Sequence, residues 1–108
     1  MDPTPRELLN YITEDERCPF EDWLDELKDV TGRALIRKRL NRVRLGNLGN
    51  VRNLGDGVSE LKVDFGPGYR VYFGEDGPKI VVLLLGGDKG SQQRDITKAK
   101  EYWRDYNA

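Results

Sequence analysis

The chain has 108 residues, 34% of them charged and 37% hydrophobic, a length and composition that fit one small domain, residues 1–108, with a modest core. It has one cysteine, Cys18, and no histidine; that excludes an internal disulfide, a cysteine-based metal site and the zinc-hydrolase, Ser-His-Asp and Cys-His chemistries. The net charge of −1 hides segregation: residues 1–29 sum to −7, residues 30–55 to +7 and residues 56–108 to −1, so the middle can hold a polyanion although the whole is nearly neutral.

The N-terminal Met1-Asp2-Pro3-Thr4-Pro5 has neither a basic head nor an apolar segment, so no signal peptide is expected. Arg6 to Thr13 reads as a first strand and Glu14 to Arg17 as a charged connection. Pro19 suits the first turn of a helix, where its missing N–H costs nothing. Phe20, Trp23, Leu24 and Leu27 then recur at i, i+3, i+4 and i+7, which predicts one buried stripe. Gly32 is expected to separate this helix from a second, Arg33 to Leu45, with Ile36, Leu40 and Val43 as its stripe. Lys38 and Arg42 point to the opposite side, and Arg33, Arg37 and Arg44 flank one edge of the stripe. The pair reads as a helical hairpin. Its basic side either meets a polyanion or pairs with the acidic first helix.

Gly46 to Gly57, with four glycines and three asparagines, reads as a loop. Three strands follow. In Val58 to Phe65, Leu61, Val63 and Phe65 alternate with Glu60, Lys62 and Asp64. After a turn at Gly66-Pro67-Gly68, Tyr69, Val71 and Phe73 alternate with Arg70 and Tyr72. Gly77-Pro78 makes the next turn. Ile80 to Leu85 is the longest apolar run; it falls far short of the roughly 20 residues of a membrane span and suits a central strand covered on both faces. Ser91 is placed to cap a last helix striped by Ile96, Ala99, Trp103 and Tyr106. The fold class expected is α+β: an antiparallel sheet of about four strands, an N-terminal helical hairpin and a C-terminal helix, with the helices on one face. A monomeric cytoplasmic protein that makes no use of a membrane is expected.

The alternation puts Lys62 and Arg70 on the open face of a hairpin, and Lys89 follows the buried strand on a Gly86-Gly87 turn. Arg is a planar, bidentate clamp for phosphate, and preorganised cations stabilise the charge that develops there during transfer. Plainer readings stand beside this one. Arg70 can pair across strands with Glu60 or Asp64, Lys62 can be an ordinary strand residue, and Asp88 or Ser91 can simply cap a helix. Tyr72 either stacks a base or fills the sheet surface. Leu45, Leu48, Val51 and Leu54 make either a partner groove or plain core. No Walker or Gly-x-Gly-x-x-Gly pattern is present, and no metal or cofactor is expected.

The run Gly66-Pro67-Gly68-Tyr69-Arg70-Val71-Tyr72-Phe73, with Gly86-Gly87-Asp88-Lys89 after the apolar strand, resembles the RelE/ParE toxin superfamily. The likeness is to its HigB-like addiction-module killer branch and covers about residues 6–106. It implies a RelE-like domain and a type II toxin that cuts messenger RNA on the ribosome, by 2′-hydroxyl attack and without metal. By that resemblance Arg70 contacts the scissile phosphate, Lys62 stabilises it or assists the base, and Lys89 holds the transition state or protonates the leaving oxygen. Some members carry a second lysine where Glu60 stands here, and a tyrosine near the place of Asp95; Glu60 or Asp95 is then the expected base. Arg33, Arg37, Arg44 and Tyr72 are the expected RNA contacts. The implied partners are the ribosome with its messenger RNA, and a HigA-like helix-turn-helix antitoxin through which alone operator DNA is reached. Two alternatives remain. One is a ParE-like gyrase inhibitor, against which the basic set argues. The other is a non-catalytic antitoxin-binding module for operon control, which Glu60 and the pI of about 5.5 favour.

Overall fold

The apolar run at 80–85 becomes a strand buried on both faces, and the rest of the chain is arranged around it. The computed structural model describes residues 4–108. Residues 1–3, on which the expectation of no signal peptide partly rests, lie outside them. The order is β1 (Glu7–Asn10), α1 (Pro19–Glu26), α2 (Val30–Arg44), β2 (Val51–Gly55), β3 (Val58–Val63), β4 (Tyr69–Asp76) and β5 (Ile80–Gly87), then a single helical turn at Lys89–Ser91 and α3 (Gln92–Tyr106). The class is α+β with a C-terminal helix, as read. The sheet has five strands instead of four, in the order β1-β5-β4-β3-β2, and it is mixed. β1 pairs parallel with β5, from Glu7 opposite Ile80 to Asn10 opposite Leu83, whereas the other pairs are antiparallel.

The helices cover both faces, not one. Val81 and Leu83 meet Phe20 and Leu24 of α1 and Ile36, Leu40 and Val43 of α2. Val82 and Leu84, pointing the other way, meet Tyr11, Tyr72 and Ala99 of α3. A strand apolar at every position has two faces to shield from water, so one layer of helices cannot suffice. Two tryptophans set how closely the layers approach. The Trp23 ring lies on Gly86 where any Cβ would overlap it, and a Cβ at Gly74 would fall 2.5 Å from the Trp103 ring. Tyrosines fasten α3 as well: Tyr11 stacks on Tyr102 at 4.8 Å, and the Tyr106 hydroxyl donates to Asp76 at 2.8 Å.

β3 stops at Val63, short of Phe65, while β4 runs on to Asp76 and β5 to Gly87, and three further boundaries differ from the sequence reading. Gly32 lies inside α2. Its N–H donates to the Asp29 cap at 2.9 Å, and a Cβ there would sit 2.7 Å from the Tyr69 ring, so close packing and not a helix break explains the glycine. The first strand ends at Asn10, although the Tyr11 N–H still reaches the Leu83 carbonyl at 3.0 Å. The stretch read as a loop contains edge strand β2, which turns into β3 through Gly55, Asp56 and Gly57, all at positive φ. The expected rim also divides: Leu48 joins the core under α1 and α2, Leu54 packs with α3, and Leu45 and Val51 stay exposed. No helix among the described residues is long and apolar enough to cross a membrane. The Cα radius of gyration, 13.0 Å, is that of a single domain of this length.

Candidate functional site

β3 and β4 pair so that Lys62 stands directly opposite Arg70. The Gly66–Gly68 turn closes one end of this pair, and the Lys89 turn approaches from β5, its backbone N–H 3.4 Å from the Pro67 carbonyl. Lys62, Arg70 and Lys89 thereby line one cleft of about 380 Å³, with Asp64 and residues 65–68. Gly86 and Gly87 are part of β5 itself, opposite Val71 and Arg70, and do not form the turn expected before Lys89. That turn belongs to Asp88, whose carboxylate accepts from the N–H groups of Gly90 at 2.8 Å and Ser91 at 3.2 Å. Asp88 therefore caps here; Ser91 makes no side-chain cap on α3.

The face carrying Arg70 is not open. Its side chain is 8% exposed. Nη1 donates to the Gly68 carbonyl at 2.6 Å, and Nε lies 3.4 Å from Glu60 Oε1. Glu60 is equally buried and serves three groups, with Arg52 at 3.1 Å and the Gln92 amide donating at 2.8 Å besides Arg70. The plain pairing of Arg70 with Glu60 is thus present in the fold. Lys62 is half exposed and pairs with Asp64 at 3.1 Å, a contact worth little in water. Lys89 is exposed. Tyr69 turns to the opposite face, where its hydroxyl donates to Asp29 at 2.7 Å; burial first, and then that bond, push its pKa up to about 12.

Asp95 does not join the cleft. It is buried against Gly87, where a Cβ would collide with it, and accepts a hydrogen bond from the Ser91 hydroxyl. Burial raises its pKa above the ordinary carboxylate value, against the lowering effects of Ser91 and Arg94. Tyr72 cannot stack a base: it is fully buried, and its hydroxyl has no partner among the described residues. Burial, then the charges of Glu60 and Asp95, drive its pKa far up, so the phenol stays neutral. Arg37 reaches Glu21 at 3.7 Å and Asp25 at 4.0 Å, the acidic-helix pairing considered for the basic side. Arg44 donates to Asn41, and with Arg37 lines a separate small depression beside Leu8 and Asn10. Arg33 is half buried and lines neither place.

The cations that do converge with Lys62 were not among the expected RNA contacts. Lys38, Arg39 and Arg42 of α2 face Lys62 and Asp64 across a groove of about 520 Å³ walled by Gly49 and Asn50. A third depression, about 410 Å³, joins Asn50 and Arg52 to Glu60, Lys62, Arg70 and Gln92. Lys62 lines all three, which together carry seven Lys and Arg against Glu60 and Asp64. The available signal was the i, i+4 spacing of Lys38 and Arg42 opposite the apolar stripe. What it faces depends on the 46–50 segment, whose path no local pattern encodes. Among the described residues no cluster of three His, Cys, Asp or Glu is placed to hold a metal ion.

Fold and site together define a small α+β protein built around a cationic cleft at the end of a strand pair. No family model matches the chain. A Haemophilus influenzae protein described as an uncharacterized protein is 43% identical over 81 residues, which is 75% of this chain and 82% of that protein. The chain belongs to the family of that protein.

Proposed function

We propose that the protein is a RelE/HigB-like toxin of a type II toxin–antitoxin system, a metal-independent endoribonuclease that cuts messenger RNA on the ribosome. The observation that carries this reading is the meeting of Lys62, Arg70 and Lys89, from three separate segments, in one cleft. In the proposed reaction the 2′-oxygen attacks phosphorus, the bond to the 5′-oxygen breaks, and a cyclic phosphate and a free 5′-hydroxyl result. The 2′-hydroxyl gives its proton to a base, and the 5′-oxygen takes one from an acid. Arg70, positioned by Gly68 and Glu60 through Nη1 and Nε, offers Nη2 to the phosphate. Lys62, opposite it, adds charge to the same phosphate, and exposed Lys89 protonates the leaving oxygen. Asp95 is held with Ser91 away from these groups and has no part in the proton transfers; Glu60, in the adjoining depression that shares Lys62 and Arg70 with the cleft, is the nearer carboxylate.

The partners of this reading are the ribosome and a HigA-like antitoxin, with operator DNA reached through the antitoxin. A second reading, a non-catalytic antitoxin-binding module, draws on the Glu60–Arg70 contact, which partly neutralises the phosphate clamp. Purified protein added to programmed ribosomes separates the two. Message cut at fixed codon positions supports the toxin reading. Intact message supports the module, and intact message with lost gyrase supercoiling supports a ParE-like role.

A further inference from the structure

We propose that the groove between α2 and β3 is a second anion site, holding backbone phosphates of single-stranded RNA that runs on into the Lys62–Arg70–Lys89 cleft. It rests on the nuclease reading only in taking RNA as the polyanion. The centre of the site is Arg39. Its guanidinium is partly buried, with Nη1 enclosed and without a hydrogen-bond partner among the described residues, and Nη2 at 3.5 Å from the Asn50 carbonyl. A partly buried cation with an unmet donor is costly, and a phosphate in the groove lowers that cost by its opposite charge, reaching the enclosed Nη1 itself once the side chain turns towards it. Desolvation and the neighbouring charge of Arg42 both lower its pKa, the direction expected of a cation lacking an anion. Lys38 and Arg42, one helical turn apart, line the same wall. The acid lining the groove, Asp64, is engaged by Lys62.

Two features favour a nucleic acid over an acidic peptide. Apolar lining amounts to Leu35 and Val63, little for peptide side chains to bury. Lys62 is also common to groove and cleft, so one chain with a charge at every backbone step meets both without a break. Gly49 shapes the wall. It has φ +65°, and a Cβ there would lie 2.8 Å from Cζ of Arg39, so a side chain at this position displaces the guanidinium.

The test is anisotropy of a labelled single-stranded RNA with 2′-O-methyl sugars, which blocks the nucleophile, titrated with the full chain at several salt concentrations. Each phosphate contact on a single strand contributes about 0.7 to the slope of log affinity against log salt. Lys38→Ala with Arg42→Ala, both exposed in the free protein, is expected to lower that slope by about 1.4. Gly49→Ala is expected to weaken binding, and Arg104→Ala, exposed on α3 outside groove and cleft, to leave the slope unchanged. An unchanged slope in the double variant, or an equal fall in Arg104→Ala, overturns the proposal. So does polyglutamate that displaces the RNA at equal charge concentration, which would make an acidic protein segment the occupant. Binding through the groove without message cutting would sink the nuclease reading alone. Codon-specific cutting with a slope indifferent to Lys38 and Arg42 would sink this inference alone.

Discussion

At Tyr72 the fold holds a buried hydroxyl with no partner among the described residues. An unsatisfied buried polar group costs about 1–3 kcal/mol. Tyr72→Phe is therefore expected to raise the unfolding free energy by about 1 kcal/mol, read from urea denaturation, and to leave RNA binding unchanged. Asp95 carries the complementary lesson. Its pKa is raised in the native state, chiefly by burial, so the native form keeps its proton to higher pH than the unfolded chain. The stability this gives is present below the ordinary 3.8 and is lost as pH rises through the native pKa. Asp95→Asn keeps an oxygen for the Ser91 hydroxyl and removes that loss. Its melting midpoint is expected to match or exceed the wild type at neutral pH, with a flatter profile above the carboxylate range and message cutting retained. A lower midpoint at neutral pH contradicts this account of Asp95. Neither burial was legible in sequence, because both depend on how α3 docks over β4 and β5, a contact between segments that share no local pattern. The placement of Lys62 opposite Arg70 was legible, since alternation along two strands joined by a tight turn fixes which side chains share a face.

Among the elements, those with a strong period were the readable ones. The stripes of α1 and α3, the alternation in β4 and in β3 as far as Val63, and the apolar run of β5 appear where the sequence places them, whereas Phe65 lies past the end of β3 and is exposed. β2 was missed because it is an edge strand, with four of its five residues exposed and no apolar face to betray it. Gly32 was misread because a glycine that admits a tyrosine ring looks the same in sequence as one that ends a helix. The glycines at 86 and 87 belong to the same class, serving the close approach of Trp23 on one face and of Asp95 with Ser91 on the other. Gly86→Ala is expected to force Trp23 away and to cost about 1–3 kcal/mol, as overpacking generally does, measured by the shift in urea midpoint at constant slope. No shift would show that α1 can slide on β5 without penalty.

For the whole molecule, the closure of β1 onto β5 in parallel joins residues about seventy positions apart and leaves no local trace in sequence. It places a strand from the start of the chain beside the central strand, and two helix layers follow from the two apolar faces of β5. Three tyrosines lie in this frame with raised pKa values, chiefly through burial: Tyr11, which also donates to Asp105, Tyr69 and Tyr72. The sign follows from linkage. Below the ordinary 10.0 all three phenols are protonated in native and unfolded chains alike; above it the unfolded chain loses its protons first, and stability falls as pH rises towards the native value of about 12 for Tyr69. Thermal midpoints are expected to drop from about pH 10 upward, less steeply in Tyr69→Phe. A profile identical in the variant would deny Tyr69 its part.

The most direct measurement is primer extension on messenger RNA from cells expressing the chain, beside Arg70→Ala and the double variant Lys62→Ala with Lys89→Ala, whose exposed lysines can be removed without disturbing the core. If the cleft is a nuclease site, the wild type leaves cuts at fixed codon positions, and both variants, folded by circular dichroism, leave none. Cuts that persist in the folded double variant, or a toxic wild type that leaves message whole, would contradict the assignment of the Lys62–Arg70–Lys89 cleft as the place where RNA is cut.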